Sequence, residues 1–428
     1  MTGRHAEVPG ATVAGERDSS SGAAATVADL DLPVMLLRDD AIEHNLRVMA
    51  DYCRTAGVEI APHAKTHMSR DLVRRQAAAG AWGFTAATPA QVKVLHGWGA
   101  GRILHANVLV DPAMIAWVAA HLLTDDAGPS GPEYLCYVDS DAGVDLLLAE
   151  LGRHRPARPL RVLVELGFAG GRTGVRDDAA ALALARRVAR SDLLALAGVS
   201  VFEGLMPVGD DPGAPVGAVD LLRRTHALVT SALDEGLDDG TPVVTAGGSS
   251  YFDLVVRELG PAAWGRPVTT VLRSGCYVTH DHGVYRRTSP LGEDRGDLRD
   301  DQDARVLLRP AFELRASVLS APEDGRVIVG FGRREAPTDD RLPVVLGTVD
   351  GDGDGGGGGV DGVDVSGWQV TGVNDHHAFL RVPSGTLVAP GTVLRFGISH
   401  PCGAFDRWRH LPLIDDRDHL VGEIVPHL

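Results

Sequence analysis

From residue 33 to about 280, short apolar runs alternate with longer stretches in which apolar residues recur every three or four positions. The runs are "VEIAPHAK", "WGFTAAT", "RILHA", "EYLCYVD", "LRVLVELG", "LAGVSVFEG", "PVVTAGG" and "TTVLRSGCYV". Val219 to Leu233 is one of the stretches with helical spacing. Eight strands alternating with helices predict an α/β fold, a (β/α)8 barrel of the TIM type rather than an open doubly wound sheet. Ahead of them, "DLPVMLL" reads as a short strand. "RDDAIEHNLRVMADYC" follows as an amphipathic helix, with Asp39 or Asp40 at its N-cap and Ile42, Leu46, Met49 and Cys53 on one face. After residue 285 the helical period stops, and the runs "ARVLLRPAFELRASVLSA", "GRVIVGFG", "LPVVLGTV", "GWQVTGVNDHHAFLRV", "GTVLRFGIS" and "HLPLID" predict an all-β C-terminal domain. The expected organisation is a disordered tail over 1–28, a barrel over 29–280 and a β-domain over 281–428, with the Gly-rich stretch 349–362 as a flexible surface loop. The aspartates in that stretch lack the closing carboxylate of a calcium loop.

Composition narrows the function. Lys and Arg number 41 against 57 Asp and Glu, and the net charge of −16 repels nucleic acid and anionic membrane surfaces. No apolar run reaches the roughly 18 to 20 residues of a membrane span. Four widely spaced cysteines, Cys53, Cys136, Cys276 and Cys402, make neither a disulfide framework nor a zinc-finger pattern. The first residues have no continuous apolar segment of the signal-peptide kind, so the expected location is the cytoplasm.

Lys65 ends the first barrel strand, where reactive groups of such barrels sit. "TAGGSSYFD" follows the seventh strand and "LRSGCY" the eighth, the loops that commonly hold phosphate groups. Gly247, Gly248 and Ser249 lead into a helix, so free N–H groups, the helix dipole and a hydroxyl converge there, and Gly275 and Cys276 offer a second set of amides. A lysine facing a phosphate cradle points to a Schiff base with pyridoxal phosphate and to a small-molecule substrate.

These segments resemble the D-serine dehydratase and D-threonine aldolase family of alanine racemase-like enzymes. The resemblance runs through "LPVMLLRDDAIEHNL", "PHAKTH", "GGRTG", "TAGGSS", "LRSGCYV" and "SHPC" over about residues 30 to 425. It implies that Lys65 forms the Schiff base, that Arg172 approaches the phenolic oxygen of the cofactor, and that Gly247, Gly248, Ser249 and Gly275 hold its phosphate. Phe202 stands where the family has an aromatic hydroxyl, and Met68 where it has a basic residue.

"SHPC" places His400 and Cys402 two apart in a run that reads as a strand or strand end, where i and i+2 share a face and can converge on one ion. A thiolate with an imidazole favours Zn2+, although another divalent cation remains possible. The resemblance points the same way, because the D-serine dehydratase group binds zinc with such a pair and the aldolases tend to carry aspartate in place of the cysteine. It implies a pyridoxal phosphate- and zinc-dependent dehydratase converting D-serine, D-threonine or a related 3-hydroxy D-amino acid to a 2-oxo acid and ammonia. The alternatives are a D-threonine-type aldolase releasing glycine and an aldehyde, and a non-catalytic pyridoxal phosphate-binding protein. By analogy with the fold, the protein is expected to be a homodimer. His376 and His377 are read equally as neighbours of the metal or as a polar turn, His280 and His282 as a surface loop rather than a metal pair, and His63 and His67 as residues tuning Lys65 or bonding to backbone.

Overall fold

The computed structural model describes residues 25–124, 132–206, 216–238, 240–295, 306–349 and 364–427. After an opening strand, β1 (Val34–Arg38), come eight parallel strands separated by helices. They are β2 (Glu59–Ile60), β3 (Phe84–Ala86), β4 (Arg102–Val108), β5 (Glu133–Val138), β6 (Leu160–Leu166), β7 (Leu194–Val201), β8 (Val243–Ala246) and β9 (Thr269–Leu272). Each pairs with its neighbour in sequence, except that β2 pairs with β9, and the ring closes where the Trp82 and Thr85 N–H groups donate to the carbonyls of Ile60 (2.8 Å) and Pro62 (2.9 Å). This is the expected barrel.

Because side chains alternate along a strand, residues two apart continue one inward-facing row. The lower barrel interior is apolar, filled by Leu104, Leu135, Leu163, Ala197, Val243 and Val271. One step toward the C-terminal ends, the same rows carry Tyr137, Glu165, Thr245 and Arg273. The barrel therefore has a dry floor and a polar mouth. On β7 the register slips at Gly198, whose φ of +139° and absent Cβ let the chain pass the Val243 carbonyl, which any Cβ there would overlap.

The second sheet is formed by β10 (Phe312–Glu323), β11 (Arg326–Val329), β12 (Val344–Val349), β13 (Gln369–Val373), β14 (Ala378–Arg381), β15 (Val393–Gly397), β16 (Leu411–Ile414) and β17 (Leu420–Ile424). It also takes in β1, which lies antiparallel to β10 and parallel to β16. Met35, Leu36 and Leu37 are fully buried, so β1 is covered on both faces, and its backbone partners belong to the β-domain although its residues fall within the segment 29–280 assigned to the barrel. Part of the expected tail is packed as well: Thr26 pairs with His419, and Val27 is buried. The final strand β17 is one that the apolar pattern does not announce, whereas the Gly-rich loop lies outside the described residues apart from Val349. Among the described residues no helix is long and apolar enough to cross a membrane.

Candidate active site at the barrel mouth

The strand β2 stops at Ile60, and Lys65 lies beyond it in a short 3-10 turn, Ala64–Thr66, where it is exposed and makes no hydrogen bond or ion pair among the described residues. The neighbours of Lys65 differ in role. His67 is fully buried; its Nδ1 accepts the Ser69 N–H (3.0 Å), which leaves Nε2 to donate to Gln76 Oε1 (3.2 Å), and burial lowers its pKa to about 4. It holds the turn in place rather than serving chemistry. His63 is held well below its usual range, first by burial and then by the charges of Lys65 and Arg273. Met68 is buried with a φ of 38°, and its carbonyl accepts the His427 N–H (2.8 Å), so the position where a basic residue was expected is packed into the core.

Beside Lys65, the loops after β8 and β9 interlock. The Gly247 N–H donates to Glu203 Oε2 (3.1 Å), Ser274 donates to the Gly248 carbonyl, and the Cys276 N–H donates to Ser249 Oγ (3.0 Å). A Cβ on Gly275 would sit 2.5 Å from the His63 carbonyl oxygen, so only glycine lets this loop close onto the Lys65 turn. The helix Phe252–Leu259 begins just past Ser249 and no side chain caps it, which leaves its first amides for an anion. Arg172, on the loop after β6, is exposed and lies 4.9 Å above the Phe202 ring, which in turn packs against Gly248.

Three groups at this mouth were not recognised in the sequence. Arg273 is buried, bonding Thr245 Oγ1 (2.8 Å) and the Val201 carbonyl (2.7 Å). Glu165 and Glu203 are buried carboxyls, both pushed upward by burial, each with one oxygen lacking a partner among the described residues. The signal was available: extending the inward rows by two residues past Leu163 and Val271 lands on Glu165 and Arg273. Unsatisfied buried polar atoms, a glycine-lined anion cradle and a free lysine amine form a set that fits pyridoxal phosphate.

His400 and Cys402 differ from expectation. The strand β15 ends at Gly397, so His400 lies in a loop and Cys402 opens the short helix Cys402–Phe405; no strand puts them on one face. Cys402 instead meets the barrel. Its Sγ lies 3.9 Å from Thr66 Oγ1, next to Lys65, and 3.5 Å from Cys276 Sγ, while Thr66 Oγ1 is also 3.5 Å from Cys276 Sγ. The hydrogen bond from Cys402 draws the Cys276 thiol down to about 6 against its burial, and the same shared proton pushes Cys402 upward. The His400 ring packs against Tyr285, 5.5 Å between centroids. Two thiols and an imidazole are soft donors suited to Zn2+. Among the described residues no three His, Cys, Asp or Glu side chains are grouped closely enough to hold a metal ion in the present side-chain positions.

The remaining histidines fall into two groups. His376 and His377 are exposed, His376 bonding Glu335 (2.7 Å). His280 and His282, expected in a surface loop, are packed where barrel and β-domain meet: both ring nitrogens of His280 are buried without partners, and the His282 N–H donates to the Ile398 carbonyl (3.0 Å).

Residues 311–414 match the family described as "Putative serine dehydratase domain". The chain is 26% identical over 407 residues to a D-threonine aldolase of an Arthrobacter species, covering 93% of this chain and 92% of that one. It is 27% identical over 363 residues to the D-threo-3-hydroxyaspartate dehydratase of Delftia sp. strain HT23, covering 76% and 90%. Among solved structures, the D-threonine aldolase of Filomicrobium marinum superposes with a TM-score of 0.73 at 24% identity, covering 94% and 96%, and a mutant D-threo-3-hydroxyaspartate dehydratase in the metal-free form with 0.68 at 22%, covering 94% and 99%. The barrel, the β-domain and the matched segment all fit the D-serine dehydratase and D-threonine aldolase family.

Proposed function

We propose that this protein is a pyridoxal phosphate-dependent lyase acting on 3-hydroxy D-amino acids, and that it works as a zinc-dependent dehydratase, converting D-serine, D-threonine or a related compound to a 2-oxo acid and ammonia. The observation that carries this reading is the approach of Cys402 from the β-domain to Thr66 beside Lys65 (3.9 Å), because it brings a metal-binding thiol to the lysine turn. The dehydratase and aldolase names of the relatives support the lyase class, and the metal-free form among the solved neighbours supports a metal requirement.

When bound, pyridoxal phosphate supplies an electron sink for the substrate α-carbon and Zn2+ a Lewis acid for the β-hydroxyl. The protein's own groups do the rest. Lys65 Nζ carries the cofactor and, once free, takes the proton from the α-carbon. Gly247, Gly248, Ser249, Gly275 and Cys276 line the cradle that would receive the phosphate, whose oxygens would replace Glu203 and Ser249 as acceptors of the Gly247 and Cys276 N–H groups, and Arg172 would orient the ring oxygen. Glu165, Glu203 and Arg273 fix the polar lining of the mouth. His400 and Cys402 bind the metal.

The aldolase reading is kept because two of the relatives described above are D-threonine aldolases, and the same lysine would serve carbon–carbon cleavage. Purified protein with pyridoxal phosphate and Zn2+ is offered D-serine and D-threonine, and ammonia, 2-oxo acid, glycine and aldehyde are quantified together. Ammonia with pyruvate or 2-oxobutyrate is the expected result. Glycine with acetaldehyde would replace the dehydratase reading with the aldolase one.

A further inference from the structure

Cys276 does two things at once. Its N–H is tied to Ser249 Oγ (3.0 Å) in the anion cradle, while its sulfur points to Cys402 Sγ at 3.5 Å. Two thiolates on one tetrahedral zinc, each about 2.3 Å from the ion, stand about 3.8 Å apart. A disulfide requires about 2.05 Å. The 3.5 Å found here is a thiol–thiol hydrogen bond that holds the two sulfurs within about 0.3 Å of the separation two thiolates take on one ion. The contact also crosses the boundary between barrel and β-domain, so it is no by-product of a local turn. Tyr285, whose hydroxyl reaches the Cys276 sulfur, packs beside the His400 ring, which places the imidazole on the same side of the pair.

We infer that Cys276 is a second thiolate ligand for the metal, so that Cys276 and Cys402 form a preformed two-sulfur clamp and His400 turns in as the third protein donor. The inference rests on the reading of His400 and Cys402 as metal ligands. It assigns the side chain of Cys276 to the metal while its main chain serves the cofactor phosphate, making one residue the mechanical link between the two sites. A clamp with two thiolates selects Zn2+ strongly over Mg2+ or Mn2+, since hard ions gain little from sulfur.

The test uses full-length protein loaded with pyridoxal phosphate, stripped of metal and titrated with Co2+, following the near-ultraviolet thiolate-to-metal absorption, with Zn2+ affinity measured by competition with a chromophoric chelator. The inference expects Cys276→Ser and Cys402→Ser each to lose about half of that absorption. Each variant should also weaken Zn2+ binding at least about tenfold. If Cys402→Ser removes the band while Cys276→Ser keeps its full intensity and affinity, the second thiolate is wrong and the His400–Cys402 reading survives. If the unsubstituted protein shows no thiolate band, both fail. Cadmium NMR of the unsubstituted protein counts sulfur ligands without any substitution, so the test stays decisive even where Cys276→Ser folds poorly: one sulfur overturns the inference and two support it.

Discussion

On one side of the barrel mouth, Gly247, Gly248 and Gly275 present main-chain amides in a loop so tight that a methyl group on Gly275 would strike the His63 carbonyl at 2.5 Å. Next to it, where the same loop turns toward the β-domain, the sulfurs of Cys276 and Cys402 meet from two different domains. The first half is made of backbone held by contacts among the loops after β7, β8 and β9 and the Lys65 turn, all within the barrel. The second is made of side chains brought together by the docking of one domain on another. An anion site of the first kind tolerates little change in shape but is indifferent to proton and metal concentration, and a cation site of the second kind is the reverse.

The sharpest way to break this comparison starts at Lys65, which lies between the two halves. Lys65→Ala is expected to lower kcat by about 10³-fold or more, because one residue supplies both the covalent anchor and the proton transfer. It should also abolish the visible absorption of bound cofactor, and a variant that retains both would remove Lys65 from the chemistry. Acid comes next. His67, beneath the Lys65 turn, and His105 both fall to about 4 through burial, against about 6.5 when unfolded. The unfolded chain binds more protons between those values, so stability is complete above pH 6.5 and falls as pH drops toward 4, by up to about 3 kcal/mol per histidine. Urea midpoints measured from pH 7 to 4 check the slope, and a flat profile would contradict it.

Gly275→Ala follows, with an expected loss of about 1–3 kcal/mol in stability from overpacking. Cofactor affinity should fall with it, whereas chelation of the metal should remove turnover and lower thermal stability, because the ion would tie barrel to β-domain, while reducing cofactor affinity much less than Gly275→Ala does. Equal effects of the two treatments would erase the distinction between the halves. The smallest effect is expected from Phe202→Tyr, which restores the aromatic hydroxyl of the family beside Gly248 and Arg172. We expect a change in KM of less than about threefold, since the ring contact with Arg172 at 4.9 Å is kept; a loss of cofactor binding in that variant would show that the pocket has adapted to the bare ring.

The same contrast explains what could be read in advance. Short apolar runs set between stretches of helical spacing located all eight barrel strands, and the glycine turns after β8 and β9 marked the loops proposed to hold phosphate, because both are properties of local chain. Glu165 and Arg273 lie at the ends of runs read as strands, but no inward-facing row was traced along those runs, and it takes the closed barrel to show that both side chains face its interior. β1 was legible as a strand, yet nothing in "VMLLR" says which sheet it joins. The meeting of Cys276 with Cys402 was beyond reach, since 126 positions separate them and neither spacing nor composition encodes how the β-domain sits on the barrel. His400 and Cys402 were read as a pair on one face of a strand, but the strand ends at Gly397 before either residue is reached.

The placement of β1 also dictates an order of events during synthesis. Met35, Leu36 and Leu37 leave the ribosome first, but their partners on β10 and β16 leave only after the whole barrel has been made. The nascent chain therefore carries an unpaired apolar strand for most of its translation, and the β-domain cannot be completed by a ribosome that stalls before Ile414, nor produced as an independent fragment starting after residue 280.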